Sequence, residues 1–261
     1  MAAPIRVLLT PEAIGYDVAR QIIHRIDVAR ESGRRFLLGC PTGRTPRPIY
    51  HAAAEQLNAS RSDLSHVVLV MMDEYVIPAG DGFRYADARN PWTCHHFART
   101  EIIEPWNRAL AGFGGLNASS VWFPDPGDPA AYDGKIDAAG GIDFFILASG
   151  ASDGHVAFNP PGSSRDSRTR IIPLSEETRQ DNLRTFPAFE SIDAVPRHGV
   201  SVGIATIAAA KECVMVAWGS GKRTTVDRMR GATRYDSSWP ATIIHDCRAG
   251  EIVCDNAAAG I

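Results

Sequence analysis

Asp153 and His155 stand two residues apart in the run Asp153-Gly154-His155-Val156-Ala157-Phe158-Asn159. A carboxylate at that spacing can hold an imidazole in one tautomer and raise its basicity, and an imidazole can move protons near neutral pH. The apolar run Phe144-Phe145-Ile146-Leu147 precedes the pair. That run reads as a buried parallel strand, which puts the pair at a strand's carboxyl end, where open α/β sheets bind ligands. The plainer reading has Asp153 capping a helix and His155 packed in a loop.

A second segment, Pro41-Thr42-Gly43-Arg44-Thr45-Pro46, lies between the apolar run Phe36-Leu37-Leu38-Gly39 and a helical stretch at 49–57. Strand, Gly/Thr loop and helix start form an anion-site geometry. Free backbone N–H groups and the helix dipole favour a phosphate, and Thr42, Thr45 and Arg44 can add donors. The Gly-Lys-Ser/Thr ending of a Walker loop is missing. Many strand-to-helix turns look similar. In a third segment the strand Val67-Val68-Leu69-Val70-Met71-Met72 ends in Asp73 and Glu74. A partly desolvated carboxylate at a strand tip can act as general base for a C–H proton. The alternative is that either acid pairs with a nearby arginine.

These tips need a scaffold, and the chain alternates as one would. Strands are expected at 5–9, 35–38, 67–72, 143–147, 200–204, 213–217, 242–245 and 252–254. Helices are expected from 11 to about 32, capped by Thr10 with Pro11 in its first turn, and at 48–57, 91–104, 129–139 and 222–230. The pattern predicts an α/β fold: a doubly wound, mainly parallel, Rossmann-like sheet with helices on both faces. Its 261 residues, 44% hydrophobic, suffice for one such domain spanning 1–261. Residues 156–200 carry only brief apolar runs, and read as a small lid or a fixed loop region.

Composition narrows the partners. A formal charge of −3, with no basic run beyond Arg34-Arg35, argues against a nucleic-acid binder. No stretch approaches the ~20 apolar residues of a membrane span, and the N-terminus lacks a signal-peptide layout. The five cysteines, Cys40, Cys94, Cys213, Cys247 and Cys254, include no Cys-x-x-Cys pair, so neither a disulfide framework nor a zinc site is expected. A cytoplasmic location fits.

The loop at 41–46, the run at 72–76, and the stretch DGHVAFNPPGSSRDSRTR at 153–170 resemble the glucosamine-6-phosphate deaminase/isomerase family. That family lies in the group that also holds the 6-phosphogluconolactonases. SVGIAT at 201–206 and the segment 210–222 match as well, so the resemblance covers most of the chain. The Ser-Arg-Thr-Arg tail favours the deaminase branch. The resemblance implies that Thr42, Gly43, Arg44 and Thr45 form a phosphate-binding turn, and that Lys222 and Arg184 contact the substrate phosphate. It further implies that Asp73 shuttles a proton between C1 and C2 of the open-chain sugar, while His155, paired with Asp153, opens the pyranose ring. The expected substrate is a small-molecule sugar phosphate, no metal or organic cofactor is required, and homo-oligomerisation is left open.

Departures from the family pattern lie at the sugar end. Pro160 stands where the family has the glutamate that completes the ring-opening group, and proline offers no titrating side chain. The strand end before the motif reads Ala148-Ser149-Gly150-Ala151-Ser152, and residues 81–97 are richer in Arg and His and carry an apparent insertion. The leading expectation is a deaminase or isomerase that converts an aldose phosphate to a ketose phosphate by acid/base 1,2-proton transfer. The alternatives are lactone hydrolysis, isomerisation of a non-amino sugar phosphate, or sugar-phosphate binding without catalysis.

Overall fold

A computed structural model describes residues 2–261. The strands are β1 Ile5–Leu8, β2 Phe36–Cys40, β3 Val67–Met71, β4 Asp73–Ala79, β5 Gly82–Tyr85, β6 Val121–Trp122, β7 Phe144–Ala148, β8 Arg170–Pro173, β9 His198–Ser201, β10 Glu212–Ala217 and β11 Gly250–Asp255. The helices are α1 Pro11–Glu31, α2 Arg47–Ser60, α3 Cys94–Phe97, α4 Glu104–Leu110, α5 Pro129–Ala138, α6 Glu176–Thr185, α7 Ile204–Ala208, α8 Arg223–Arg230 and α9 Asn256–Ala259. A seven-stranded sheet runs β1-β11-β10-β7-β2-β3-β6, with every adjacent pair parallel. Among the described residues, no helix is long and apolar enough to cross a membrane.

The sheet is parallel because its central strands are apolar on both faces. Every residue of β2 and β3 is buried. Their side chains alternate between two cores: Phe36, Leu38, Val67, Leu69 and Met71 pack into one, and Leu37, Val68 and Val70 into the other. Such strands need helices on both sides, which the alternating chain supplies. Gly39 is required by a close approach, since a Cβ there would lie 2.1 Å from the Phe145 ring on β7. The predicted cap of α1 is present, with the Thr10 hydroxyl accepting from the Ala13 amide at 3.1 Å. Such a bond contributes about 1 kcal/mol.

The strands that carry the chemistry, β10, β7, β2 and β3, are consecutive neighbours in the sheet. Being parallel, they end on one edge. The β2–β7 ladder stops at Gly39↔Phe145, one residue before the end of β2 and three before the end of β7. Beyond it the strands part, and a crevice opens where such sheets bind ligands.

A second sheet, order β5-β4-β9-β8, is antiparallel. The sequence did not suggest it. The chain passes from β3 into β4 through Met72 alone, so Asp73 lies at the junction of the two sheets. The strand expected at 200–204 belongs to this second sheet as His198–Ser201, and α7 begins at Ile204. The strand expected at 242–245 is a correction: Pro240–His245 forms a buried short-pitch helix. Pro240 starts it, and the His245 ring is bound at both nitrogens, by the Ala3 amide and the Met229 carbonyl. The helix expected at 91–104 is split into α3, a widened turn at Ala98–Ile103, and α4. Residues 156–200 are partly laced into the second sheet through β8 and β9, and α6 lies between those strands in sequence.

Candidate functional site

The crevice is a cavity of about 390 Å³. Its walls include Thr42, Gly43, Arg44, Thr45, Asp73, His155 and Lys222, all singled out in the sequence. The loop at 41–45 leaves the buried end of β2 and is pinned from two sides. The Tyr50 hydroxyl donates to the Pro41 carbonyl at 2.7 Å, and the Trp218 indole donates to the Thr45 carbonyl at 2.9 Å. Gly43 has φ +92°, a left-handed conformation that suits glycine and lets the loop turn sharply at the cavity.

Lys222 approaches the loop from across the cavity. Its ammonium donates to the Ser149 carbonyl. Burial lowers its proton affinity, partly offset by the charges of Asp181 and Asp153, while Arg44 lowers it further. A lysine desolvated beside an arginine, whose hydrogen-bond partner among the described residues is a carbonyl, suits an anionic ligand.

Asp153 and His155 sit in a tight reversal after β7. The Gly150 amide donates to the His155 carbonyl at 2.8 Å, and Ser149 bridges to Val156. His155 Nδ1 lies 2.7 Å from Asp153 Oδ1. The Thr178 hydroxyl on α6 is 3.3 Å from the same nitrogen. Burial alone would raise the Asp153 carboxyl, but the hydrogen bond and charge of His155 prevail and hold it below its ordinary value. Asp153 is therefore the anionic partner of the imidazole. Gly150 makes room for the pair, because a Cβ there would lie 2.2 Å from His155 Nδ1. Ala157 completes the turn with φ +51°. Such a left-handed alanine costs roughly 1–2 kcal/mol, and here it lines the cavity.

Asp73 is 5% exposed. Burial pushes its proton affinity up to about 7; a hydrogen bond from Cys94 opposes the shift and the charge of Glu74 adds to it. A carboxyl poised there can take and return a proton near neutral pH. Glu74 points away from this chemistry. It accepts from the amides of Tyr75, Cys94 and His95 and pairs with the His95 ring at 2.5 Å. Among the described residues neither acid is held by an arginine, the alternative raised by the sequence. The difference follows from strand alternation, which sends consecutive side chains to opposite faces.

Other expectations fare differently. Arg184 is absent from the cavity wall; it is exposed on α6 and pairs with Asp181 at 3.3 Å. Pro160 also lies off the wall, its carbonyl taken up by the Ser163 amide and hydroxyl. Asp153 Oδ2 is buried without a hydrogen-bond partner. The wall also contains residues the sequence did not single out: Asp181, Asn182, Thr185 and Phe186 from α6 and its end, and Trp218 beside Lys222. The spacing of 178, 182 and 185 on a helix was the available signal.

Comparisons with known proteins place the chain in a family. The family described as glucosamine-6-phosphate isomerases/6-phosphogluconolactonase matches residues 9–254. The glucosamine-6-phosphate deaminase of Beutenbergia cavernae is 36% identical over 98% of this chain and 92% of its own. The glucosamine-6-phosphate isomerase of Candida albicans is 33% identical over 94% and 92%. A solved monomeric glucosamine-6-phosphate deaminase superposes with a TM-score of 0.82 at 26% identity, covering 98% of this chain and 99% of that one. The 6-phosphogluconolactonase of Leishmania guyanensis, at 17% identity and a TM-score of 0.70, shares the fold. With the match spanning nearly the whole chain, this protein belongs to the glucosamine-6-phosphate isomerase/6-phosphogluconolactonase family.

Proposed function

We propose that this protein is an aldose–ketose isomerase/deaminase of a phosphorylated amino sugar, of the glucosamine-6-phosphate deaminase type. One observation carries the reading: a buried carboxyl with its proton affinity raised to about 7, Asp73, shares a cavity with a cationic, hydroxyl-rich end and an Asp–His pair. Lactone hydrolysis needs an activated water and no such carboxyl. A 1,2-proton transfer needs a base that gives the same proton back.

In this reading the phosphate sits among the amides of the 42–45 loop, Arg44 and Lys222. His155, anchored by anionic Asp153, delivers a proton to the ring oxygen as the pyranose opens. Asp73 removes the C2 proton and returns it at C1, and water then releases ammonia and leaves the ketose phosphate. The names of the relatives support the amino sugar as substrate. Pro160 leaves the ring-opening step to Asp153 and His155, so sugars that open readily are the better substrates. We assign the protein to the cytoplasm, which suits five free and buried cysteines, and treat the whole chain as one sugar-phosphate-binding domain.

The test is a panel of amino and non-amino hexose and pentose phosphates, with 6-phosphogluconolactone, read for ammonia, ketose and acid. Ammonia and ketose phosphate in equal amounts from glucosamine 6-phosphate are expected. Acid from the lactone with no ammonia from any amino sugar would overturn the reading.

A further inference from the structure

Cys94 touches the cavity chemistry without lining the cavity. It is the first residue of α3 and is 1% exposed. Its Sγ lies 3.4 Å from Asp73 Oδ1 and 3.6 Å from Thr42 Oγ1. A carboxylate can only accept, so the thiol donates to Asp73, and the Thr42 hydroxyl is then free to donate to the sulfur. The α3 start is itself fixed, because the Cys94 and His95 amides both donate to the buried Glu74 carboxylate. Glu74 follows Asp73 in β4. The thiol is thus held by a short loop of covalent and hydrogen-bonded links that begins and ends at the same strand.

We infer that Cys94 is a positioning residue: its thiol holds one oxygen of the Asp73 carboxyl and braces it against Thr42 of the phosphate loop, leaving the other oxygen for the sugar. This rests on the function proposed above. A thiol suits the task because it is a weak donor. A strong donor would favour the carboxylate so much that its proton affinity would fall away from neutrality, and a methyl group would leave the carboxyl free to turn. Other titratable and charged groups lie near Asp73. Glu74 and Tyr75 lie on β4, Tyr50 on α2 and Tyr132 on α5, while Arg44, His155 and Lys222 share the cavity. Among the described residues none of these donates a hydrogen bond to Asp73, whereas Cys94 does.

The test compares the parent with Cys94→Ala and Cys94→Ser. In the free protein, Asp73 is titrated by carbon NMR of labelled aspartate carboxyls, its signal identified by its loss in Asp73→Asn. Removing the donor should raise the midpoint by about half a pH unit in Cys94→Ala, and the hydroxyl of Cys94→Ser should bring it back to the parent value or below. In turnover, Cys94→Ala should lose about 3–10-fold in kcat with KM nearly unchanged, its acid limb moving with the titration, and Cys94→Ser should recover most of kcat. An Asp73 midpoint identical in parent and Cys94→Ala would overturn the inference. So would equal losses in both variants that track a fall in Tm, since that marks packing alone. If the titration shifts as expected while the parent releases no ammonia or ketose, the Cys94 contact stands and the proposed reaction fails.

Discussion

The cavity has two unlike walls. One is the edge of the parallel sheet, where the 42–45 loop, Asp73, the Asp153–His155 turn and Lys222 grow from buried strands. The other is α6, a polar helix in which Thr178 is the one buried residue, and which presents Asp181, Asn182 and Thr185. The sheet wall can hold a carboxyl, a lysine and an imidazole in perturbed or oriented states because its backbone cannot relax around them. The helix wall has little apolar anchorage, and apart from Thr178 beside His155 and the charge of Asp181 near Lys222 its side chains are better placed to choose what enters than to do bond chemistry. On the function proposed above, charge and proton transfer fall to the first wall and selection to the second.

The strongest way to break this division is at Asp73. Asp73→Asn should lower turnover by at least ~10²-fold while phosphate binding persists. The same change should stabilise the fold. The folded state binds the Asp73 proton more tightly than the unfolded chain, so Asp73 costs nothing below about pH 4 and progressively more as pH rises toward 7. Denaturation of parent and variant should therefore coincide near pH 4 and diverge by on the order of a few kcal/mol at pH 8. By the same shift, kcat/KM of the parent should rise through about pH 7 as the base ionises. A flat profile from pH 5 to 9 would remove Asp73 from the role of base.

Lys222→Ala should come next. KM for a sugar phosphate should rise about 10–100-fold, with a smaller effect on kcat, and the penalty should shrink for the dephosphorylated sugar. Equal penalties with and without phosphate would make Lys222 a structural tie to Ser149. A change on the helix wall should be milder and of another kind. Asn182→Ala removes an amide whose Nδ2 is buried without a partner, and should alter the ranking of sugar phosphates by about 3–10-fold while leaving the pH profile in place. A shifted pH profile would mean that α6 takes part in the chemistry. The smallest effect is expected for Arg184→Ala, whose side chain is 68% exposed. KM within about 2-fold of the parent is the expected result, and a large rise would show that α6 turns or closes to bring this arginine to the phosphate.

How much of this was legible in the sequence differs between the walls for the same reason. Continuous apolar runs ending in polar residues, as at Leu37-Leu38, Val67–Met71 and Phe144–Ala148, announce buried parallel strands with polar tips, because burial on both faces leaves a local mark. The Asp153–His155 pair was readable for a similar reason, since a two-residue spacing in a turn nearly forces contact. The placement of Arg184 was not. It sits one residue from Thr185, yet one residue on a helix is a rotation of about 100°, enough to move a side chain from cavity to solvent.

The sequence by itself determined that the 42–45 loop, Asp73 and the Asp153–His155 pair would stand at the ends of buried strands, because that follows from periodicity within short windows, whereas Lys222 and Arg184 were named by the family resemblance alone. Tertiary structure alone decided that β10, β7, β2 and β3 are neighbours, that Asp73 falls at the seam of two sheets, and that Cys94 from α3 comes to rest against it. Strand order and helix docking depend on contacts between residues far apart in the chain, and no local pattern records them. The raised proton affinity of Asp73 is a product of that seam, where burial removes the water that would otherwise keep the carboxyl ionised.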